Sequence, residues 1–301
     1  MRRPWERAEA AVTGKSLFDA FTALALHARP LDVTKLRRQV EEDAKQFPFM
    51  NLFPIIVTGD GGKTVKHIPT MDADKAQDRE AAARYHMVQR ANLIQDMTGR
   101  TYVEPACRVI TTEHQVSALD LLPFMHRSGF VPSGREWQWA RALEAGFNDD
   151  FTMATHLLVP QLEHALRVLL RSAGETAVSM DKHGQQGDWN LNHILLRERR
   201  GMAEGILGEA AVFDLAALLV DRGGANLRNV VSHGMVDDGG LEGGLPRYLF
   251  WACLRLCLLP LIARAEGVRR TRGEAAGGTV AEPEAGSDDA RPLRSREAES
   301  I

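Results

Sequence analysis

One long segment constrains the fold of this chain more than any other. The residues DDFTMATHLLVPQLEHALRVLLRSAG, from Asp149 to Gly174, place apolar residues at the spacing of one face of an α-helix. Acidic residues stand at the start and Gly174 at the end, as at many helix termini. Pro160 lies inside the segment and is expected to kink the helix or to separate its first turns. The pattern predicts a long amphipathic helix.

Helical periodicity recurs along the first half of the chain, which predicts a mainly α fold. One stretch differs: FPIIVTGDGGKTVKHIPT has two β-rich runs around Gly59–Gly62 and predicts a small β-hairpin. The helices predicted before Asn148 are Ser16–His27, Asp32–Gln46, Asp72–Asp96, Val116–Met125 and Gly134–Gly146.

The second half of the chain is also predicted to be helical. The polar segment ETAVSMDKHGQQGDWN is typical of a loop, and the residues after it predict one short helix and one longer helix. A glycine-rich loop, Asp237–Gly244, precedes the most apolar run of the chain, Tyr248–Ala263. This run contains Arg255 and Pro260 and is shorter than the ~20 apolar residues that a membrane-spanning helix needs, so we expect a buried helix and no membrane partner.

Three regions are predicted, with a boundary near Asn148. Residues 1–148 form a mixed, mostly helical region that contains the hairpin. Residues 149–266 form an all-α domain of about four main helices. Residues 267–301 have almost no large apolar side chains and are expected to be a disordered tail.

Composition excludes some functions and indicates a compartment. The net charge is −3, so any contact with nucleic acid depends on a local basic patch. The three cysteines do not form a disulfide framework and fit a reducing compartment. Cys253 and Cys257 are better explained by core packing than by a metal pair. The N-terminus lacks the apolar segment of a secretory signal, so we expect a cytoplasmic protein.

Several suggestive groups fail closer tests. GDGGKT lacks the glycine that a P-loop has at the position of Val57, and β-like residues follow its lysine. His156, Glu163 and His164 share part of a helix face, but their spacing matches no recognised metal site. His183, Asp188 and His193 lie in a segment with the composition of a loop, which does not favour a metal role. We therefore expect no metal and no cofactor. Trp137 and Trp139, near Arg135 and Arg141, are better explained by helix packing than by stacking on RNA.

A different segment, NLRNVVSHGM, has the residues of a site that handles phosphate. Asn226 is a good helix N-cap and Gly234 a good residue to end the helix. Asn229 and His233 are four residues apart and therefore share a face, and the long side chain of Arg228 can swing its guanidinium toward the imidazole. From these residues alone, a site and a scaffold that braces neighbouring helices are equally favoured.

The chemistry of the three side chains fits RNA cleavage without a metal. Arg228 can bind phosphate through two hydrogen bonds. Asn229 can orient the histidine or donate to a phosphate oxygen, and His233 exchanges protons near neutral pH. A base of this kind takes the 2′-hydroxyl proton, the 2′-oxygen attacks the adjacent phosphorus, and the cation stabilises the developing charge.

RNVVSHG resembles the R-N-x-x-x-H-G signature of the family called domain of unknown function 4209, a branch of the HEPN superfamily. That family is similar to the endoplasmic-reticulum membrane-associated RNA degradation protein of eukaryotes. HLLVPQLEHALRVLL resembles its first core helix, and NLNHILLRERRGMAEGILGEA its middle segment. The resemblance covers about Phe151 to Ala263 and does not extend to the N-terminal half.

The resemblance implies an up-and-down bundle of four to five helices and, for many members, a metal-independent endoribonuclease that leaves a 2′,3′-cyclic phosphate. Arg228 would bind the scissile phosphate, Asn229 would position the phosphate or the histidine, and His233 would be the general base or acid. Glu163 and Arg167 match polar positions of the first helix and would orient the site. Gly234 would be a turn residue.

The resemblance also implies partners and alternatives. RNA and a second copy of the chain are the expected partners, because HEPN proteins commonly dimerise with two motifs facing one cleft. A regulatory partner protein and a role in bacterial RNA restriction, stress or phage defence are further expectations from family analogy. Two alternatives stay open: a HEPN module that binds nucleotide, RNA or protein without cleavage, and a helical scaffold.

Overall fold

A computed structural model describes residues 3–51, 53–58, 62, 64–174, 178–180, 186–197 and 199–277. The predicted mainly α class with a small hairpin is confirmed. The α-helices within these residues are α1 (Pro4–Val12), α2 (Leu17–His27), α3 (Val33–Gln46), α4 (Ala76–Thr98), α5 (Glu104–Glu113), α6 (Ala118–Arg127), α7 (Glu136–Phe147), α8 (Phe151–Ser172), α9 (Leu191–Leu195), α10 (Arg200–Leu207), α11 (Glu209–Leu219), α12 (Leu227–Ser232), α13 (Asp238–Leu241) and α14 (Gly244–Gly277).

Two short antiparallel strand pairs accompany the helices. Strands β1 (Ile55–Thr58) and β2 (Thr64–Ile68) pair as the hairpin that the sequence predicts. Strands β3 (Val178–Met180) and β4 (Gln186–Asp188) lie in the segment predicted as a loop. Runs of three residues are too short to show the two-residue alternation that identifies a strand, so the sequence pattern missed the second pair.

Helix α8 passes through Pro160 without ending there. The helix runs unbroken from Phe151 to Ser172, so its first turns are not separated as expected. Pro160 is exposed, whereas Leu158 and Leu162 on either side of it are fully buried. Proline removes one backbone hydrogen bond, and the packing of the buried face on both sides of Pro160 holds the helix together.

Two glycines bring the ends of α4 and α14 into backbone contact. A Cβ on Gly99 would lie 2.0 Å from the carbonyl oxygen of Gly244, and a Cβ on Gly244 would lie 2.0 Å from that of Asp96. The Asp96 carboxylate also accepts a hydrogen bond from the N–H of Gly244, at 2.8 Å. Between α4 and α5 the chain forms a π-helical turn, Gly99–Val103, at this close approach.

The main hydrophobic cluster contains residues from both sides of Asn148 in the sequence. Trp139 of α7, Leu162 of α8 and Phe250 of α14 belong to the same buried cluster, and the indole N–H of Trp251 donates to the Leu24 carbonyl oxygen at 3.0 Å. The chain up to Ile262 forms one compact unit. The expected boundary near Asn148 therefore does not separate two cores, because the N-terminal helices bury their apolar faces on α8 and α14.

The last helix is buried along much of its apolar run, as expected, and it extends further than expected. By length and composition alone it could cross a membrane, but the side chains from Tyr248 to Leu254 are all buried inside the protein. The helix extends to Gly277 and thus includes the first residues of the tail predicted from Gly267. Adding residues to an existing helix avoids the cost of nucleation. Residue composition alone does not show this effect, so the tail was predicted to begin too early. Residues 278–301 lie outside the described part of the chain.

Candidate functional site

Helix α12 carries the motif and is set by a left-handed residue at each end. Asn226 occupies the N-cap position with φ of +49°, a conformation that asparagine tolerates better than most residues. At the other end Gly234 has φ of +63°. The N–H of Gly234 donates to Val231 and that of Met235 to Val230, which together form a Schellman motif. Asn226 and Gly234 thus lie where the sequence predicted.

Arg228 joins the motif to the long helix α8. Its Nε donates to a carboxylate oxygen of Glu163 at 3.2 Å, and its Nη1 donates to Oδ1 of Asn229 at 2.9 Å. The two charged side chains are mostly buried, with 22% of Arg228 and 14% of Glu163 exposed. The side chain of Asn229 in turn donates to Oδ1 of Asn226 at 2.5 Å. We call these four residues, Glu163, Arg228, Asn229 and Asn226, the motif chain.

The motif chain differs in two ways from what the sequence suggested. Asn226 holds the N-cap position without a capping hydrogen bond from its side chain, which accepts from Asn229 instead. The guanidinium of Arg228 donates to Glu163 and Asn229. The sequence also allowed this side chain to swing toward His233. A nearby carboxylate attracts the guanidinium strongly, which accounts for the contact with Glu163.

His233 follows directly after α12 and is open to solvent. Its backbone N–H donates to the carbonyl oxygen of Asn229 at 3.0 Å, so His233 lies one helical turn beyond Asn229. Its side chain is exposed, and its ring makes no hydrogen bond to the residues that the structure describes. An exposed imidazole one turn beyond Asn229 is open to a ligand that binds at α12.

Arg167 lies one turn after Glu163 on α8 but does not join the motif chain. It pairs with Asp188 at 3.4 Å, and Arg171, a further turn along, pairs with the same carboxylate at 2.8 Å. The Nε of Arg167 is buried and has no hydrogen-bond partner among the described residues. The resemblance gave Arg167 an orienting role at the site; its observed contacts connect α8 to β4 instead.

A cationic cluster near Glu163 escaped the sequence analysis. Burial lowers the pKa of His164, and the positive charges of Arg135, Arg167 and Arg171 lower it further. The four-residue spacing of Glu163, Arg167 and Arg171 places them on one face of α8, which was a signal in the sequence for this cluster. Asp188, which pairs with Arg167 and Arg171, offsets part of this charge, so the region around His164 keeps a partial positive charge although the whole chain is weakly acidic.

The other candidate groups from the sequence make contacts that indicate structural roles. Thr64 begins strand β2, so a helix does not start after the lysine of GDGGKT, and Gly59–Gly61 and Lys63 lie outside the described residues. His156 bonds to the Thr152 carbonyl oxygen of its own helix at 2.8 Å. Across the described residues, no group of three or more His, Cys, Asp or Glu side chains could hold a metal ion.

The cysteines and tryptophans belong mainly to the core. Cys253 and Cys257 are fully buried, as predicted, and burial raises the pKa of both thiols. Such thiols are poor nucleophiles because the reactive thiolate is disfavoured. Trp139 is fully buried and Trp137 is half exposed, so packing accounts for the first and leaves the second on the surface.

Comparison of the chain with protein-family models, with curated protein sequences and with solved structures gives no match. A function is therefore inferred from three features: the geometry of the motif chain, the exposed His233 and the neighbouring cationic cluster.

Proposed function

We propose that the protein is a metal-independent endoribonuclease of the HEPN type, with its site at α12 and the facing part of α8. Arg228 binds the scissile phosphate, Asn229 positions it, and His233 is the general base. Glu163 orients Arg228, and Gly234 lets the chain turn directly after His233. Arg167 contributes positive charge near the site.

The contact between Glu163 and Arg228 carries this proposal. The two residues are 65 positions apart in the sequence, and each comes from a different segment of the resemblance to the HEPN family. A chance match of a short motif gives no reason for the acidic residue of the first helix to meet the arginine of the motif. The 3.2 Å contact is what a shared site requires.

The proposed reaction needs only groups that this chain supplies. His233 takes the proton of a ribose 2′-hydroxyl, and the 2′-oxygen forms a bond to the adjacent phosphorus. The bond from phosphorus to the 5′-oxygen breaks, and the leaving oxygen takes a proton from water or from the histidine of a second copy in a dimer. The products are a 2′,3′-cyclic phosphate and a 5′-hydroxyl, and Arg228 stabilises the charge that develops on the phosphoryl oxygens.

The charge distribution supports RNA as the substrate. The phosphate backbone is gripped mainly by arginine and lysine, and Arg135, Arg167 and Arg171 provide local positive charge around His164. With a net charge of −3, we expect binding that depends on this patch and weakens steeply with added salt. A homodimer, a regulatory partner, a cytoplasmic location and a role in RNA restriction, stress or phage defence belong to the same proposal and follow from the family resemblance.

A second candidate function is a HEPN module that binds RNA or nucleotide without cleavage. One observation favours it: the side chains of Arg228 and Asn229 are both engaged in hydrogen bonds within the motif chain. A catalytic arginine would have to release or share these partners when the phosphate binds. The third possibility, a scaffold, predicts that His233 matters to stability, and its exposed side chain argues against this.

The test uses a labelled DNA oligonucleotide that contains one ribonucleotide, incubated with purified full-length protein in EDTA. We expect cleavage only after the ribonucleotide, with a cyclic-phosphate end, and a loss of about 10²–10⁴-fold in rate for His233→Ala. His156→Ala is the matched control, because His156 is also exposed and lies two helical turns, about 10 Å along α8, before Glu163. An all-deoxy oligonucleotide should remain intact.

Two outcomes would count against the proposal. Equal cleavage by wild type and His233→Ala would mean that another group, or a contaminating enzyme, is responsible. No cleavage by any variant, together with RNA binding that Arg228→Ala abolishes, would favour the binding module.

A further inference from the structure

A partly open cavity of about 340 Å³ borders the core, and none of the described residues that line it belongs to α12. Its walls come from α8, α10, α11 and α14, and from the residues around Phe130 after α6. Most of the side chains that line it are apolar, and they include Leu169, Ile206 and Trp251. The volume is at the small end of the ~300–1,000 Å³ typical of sites for small organic ligands.

Arg255 is the one cation among the residues that line this cavity. Its Nη1 donates to the carbonyl oxygen of Ala25 at 2.7 Å, the one hydrogen bond found for its guanidinium within the described residues. A guanidinium has five N–H donors in a flat fork, so most of them remain for another acceptor. Its partly buried position has a cost, since desolvation is the main cause that lowers the pKa of Arg255.

Asp214 also lines the cavity but has its partners already. One carboxylate oxygen accepts from the Tyr248 hydroxyl at 2.6 Å, and the other accepts from the Gln95 amide at 2.7 Å. Its side chain is therefore held in place and turned to the core. The acid group of a ligand would accept hydrogen bonds from Arg255, and because the charge of Asp214 opposes every negative charge in the cavity, a ligand with one acid group fits better than a ligand with two.

We propose that this cavity binds a small organic acid with a compact apolar body and a single negative charge, and that Arg255 holds the acid group. The apolar walls take the body of the molecule, and its acid group accepts hydrogen bonds from the free edge of the guanidinium. A long acyl chain exceeds the volume. The segment 278–301 of this chain is a poor occupant, because its large apolar residues are few and separated by charged ones.

The proposal does not depend on ribonuclease activity, because no residue of the motif chain lines the cavity. Its test compares two fluorescent probes with similar fused aromatic rings. The first, 8-anilinonaphthalene-1-sulfonate, carries one negative charge, and the second, N-phenyl-1-naphthylamine, carries none. Each is titrated into folded full-length protein, with a cooperative thermal transition as the check on folding.

We expect the anionic probe to bind at one site per chain, and Arg255→Gln to weaken this binding about tenfold, the usual cost of losing a charge-assisted hydrogen bond. Arg255→Lys keeps the charge and should lose less. Binding of the neutral probe should change little in either variant. Ile206→Trp, at the partly exposed rim of the cavity, should block both probes, and Ala211→Met is a second blocking variant if the first does not fold.

Unchanged binding of the anionic probe in both blocking variants would overturn the proposal, because the probe would then bind elsewhere. Equal affinity of the two probes, with no effect of Arg255→Gln, would also overturn it, because the cavity would then not select an anion.

Discussion

Two polar groups of this protein contain similar side chains but differ in their access to water. The core group, Asp214, Tyr248 and Gln95, is closed: each member is buried, and each has its hydrogen-bond partners within the protein. The motif chain is partly exposed, and His233 beside it faces solvent. Burial and internal pairing therefore fit the core group for holding helices together, although Asp214 borders the cavity beside Arg255, whereas the motif chain lies next to a side chain that faces solvent.

Gln95→Leu is the strongest test of the difference between the core group and the motif chain, because it is expected to lower stability most. Gln95 is fully buried and donates to both the side chain and the backbone carbonyl of Asp214. Its loss leaves a buried carboxylate short of a donor, and we expect the free energy of unfolding to fall by about 4 kcal/mol. Unfolding in guanidinium chloride measures this. A loss below about 1 kcal/mol would mean that the core group is not structural.

The pH dependence of stability is the next test. Burial raises the pKa of Asp214 to about 6, against the opposing effect of its hydrogen bonds to Tyr248 and Gln95; in an unfolded chain an aspartate titrates near ~3.9. Between these values the folded protein binds more protons, so the contribution of Asp214 to stability is present below about pH 4 and is lost as the pH rises through 6. The loss is on the order of 3 kcal/mol.

Asp214→Asn is the matched variant for the pH test, since it removes the titrating group and keeps the shape of the side chain. Unfolding free energies measured from pH 4 to pH 7 should fall less steeply in the variant than in wild type. Parallel curves for the two proteins would show that Asp214 does not titrate in this range.

A smaller effect is expected in the motif chain. Glu163→Gln removes the charge opposite Arg228, and we expect a loss of about 1 kcal/mol in the free energy of unfolding, because the pair is only partly buried. Glu80→Gln is the control: its pair with Arg37 is 40% and 58% exposed, and such surface pairs contribute ~0–1 kcal/mol. If Glu163→Gln lowered the free energy of unfolding as much as Gln95→Leu, the motif chain would be a structural group like the core group.

The smallest effect is expected at His233. His233→Ala removes an exposed side chain, so the free energy of unfolding should change by less than about 0.5 kcal/mol, as for most surface substitutions. His156→Ala provides the reference value. A fall in melting temperature of several degrees for His233→Ala alone would favour the scaffold and argue against a site. Arg228→Ala is a weaker test, because it also leaves Glu163 without its partner.

The sequence predicted the features of this protein that depend on residues close together in the chain. Helical periodicity located most helices, and the residue types at Asn226 and Gly234 located both ends of α12. The resemblance pointed to Glu163 as a residue near the motif, and the ion pair with Arg228 agrees with that.

The parts that sequence did not predict depend on contacts between distant residues. Asp214 is the one acid within the apolar run AAVFDLAALLV, a signal of a buried polar group, but its partner Gln95 is 119 positions away. The shared core across Asn148 also needs distant helices to meet. The β3–β4 pair is too short for its pattern to be visible, and the proline of α8 is tolerated because of packing that local rules do not include.

The bond between Trp251 and Leu24 has a consequence for how the protein forms in the cell. Its two residues are 227 positions apart, and a ribosome adds about 5–20 residues per second. Helix α2 is therefore synthesised on the order of 10–45 s before the helix that covers it. During this interval the part of α2 around Leu24 that Trp251 covers in the finished protein stays open to water, while Phe21 can already pack against Phe124 and Phe147. The nascent chain is then a natural client for chaperones, and release of a fragment that ends near Asn148 would leave the same surface uncovered.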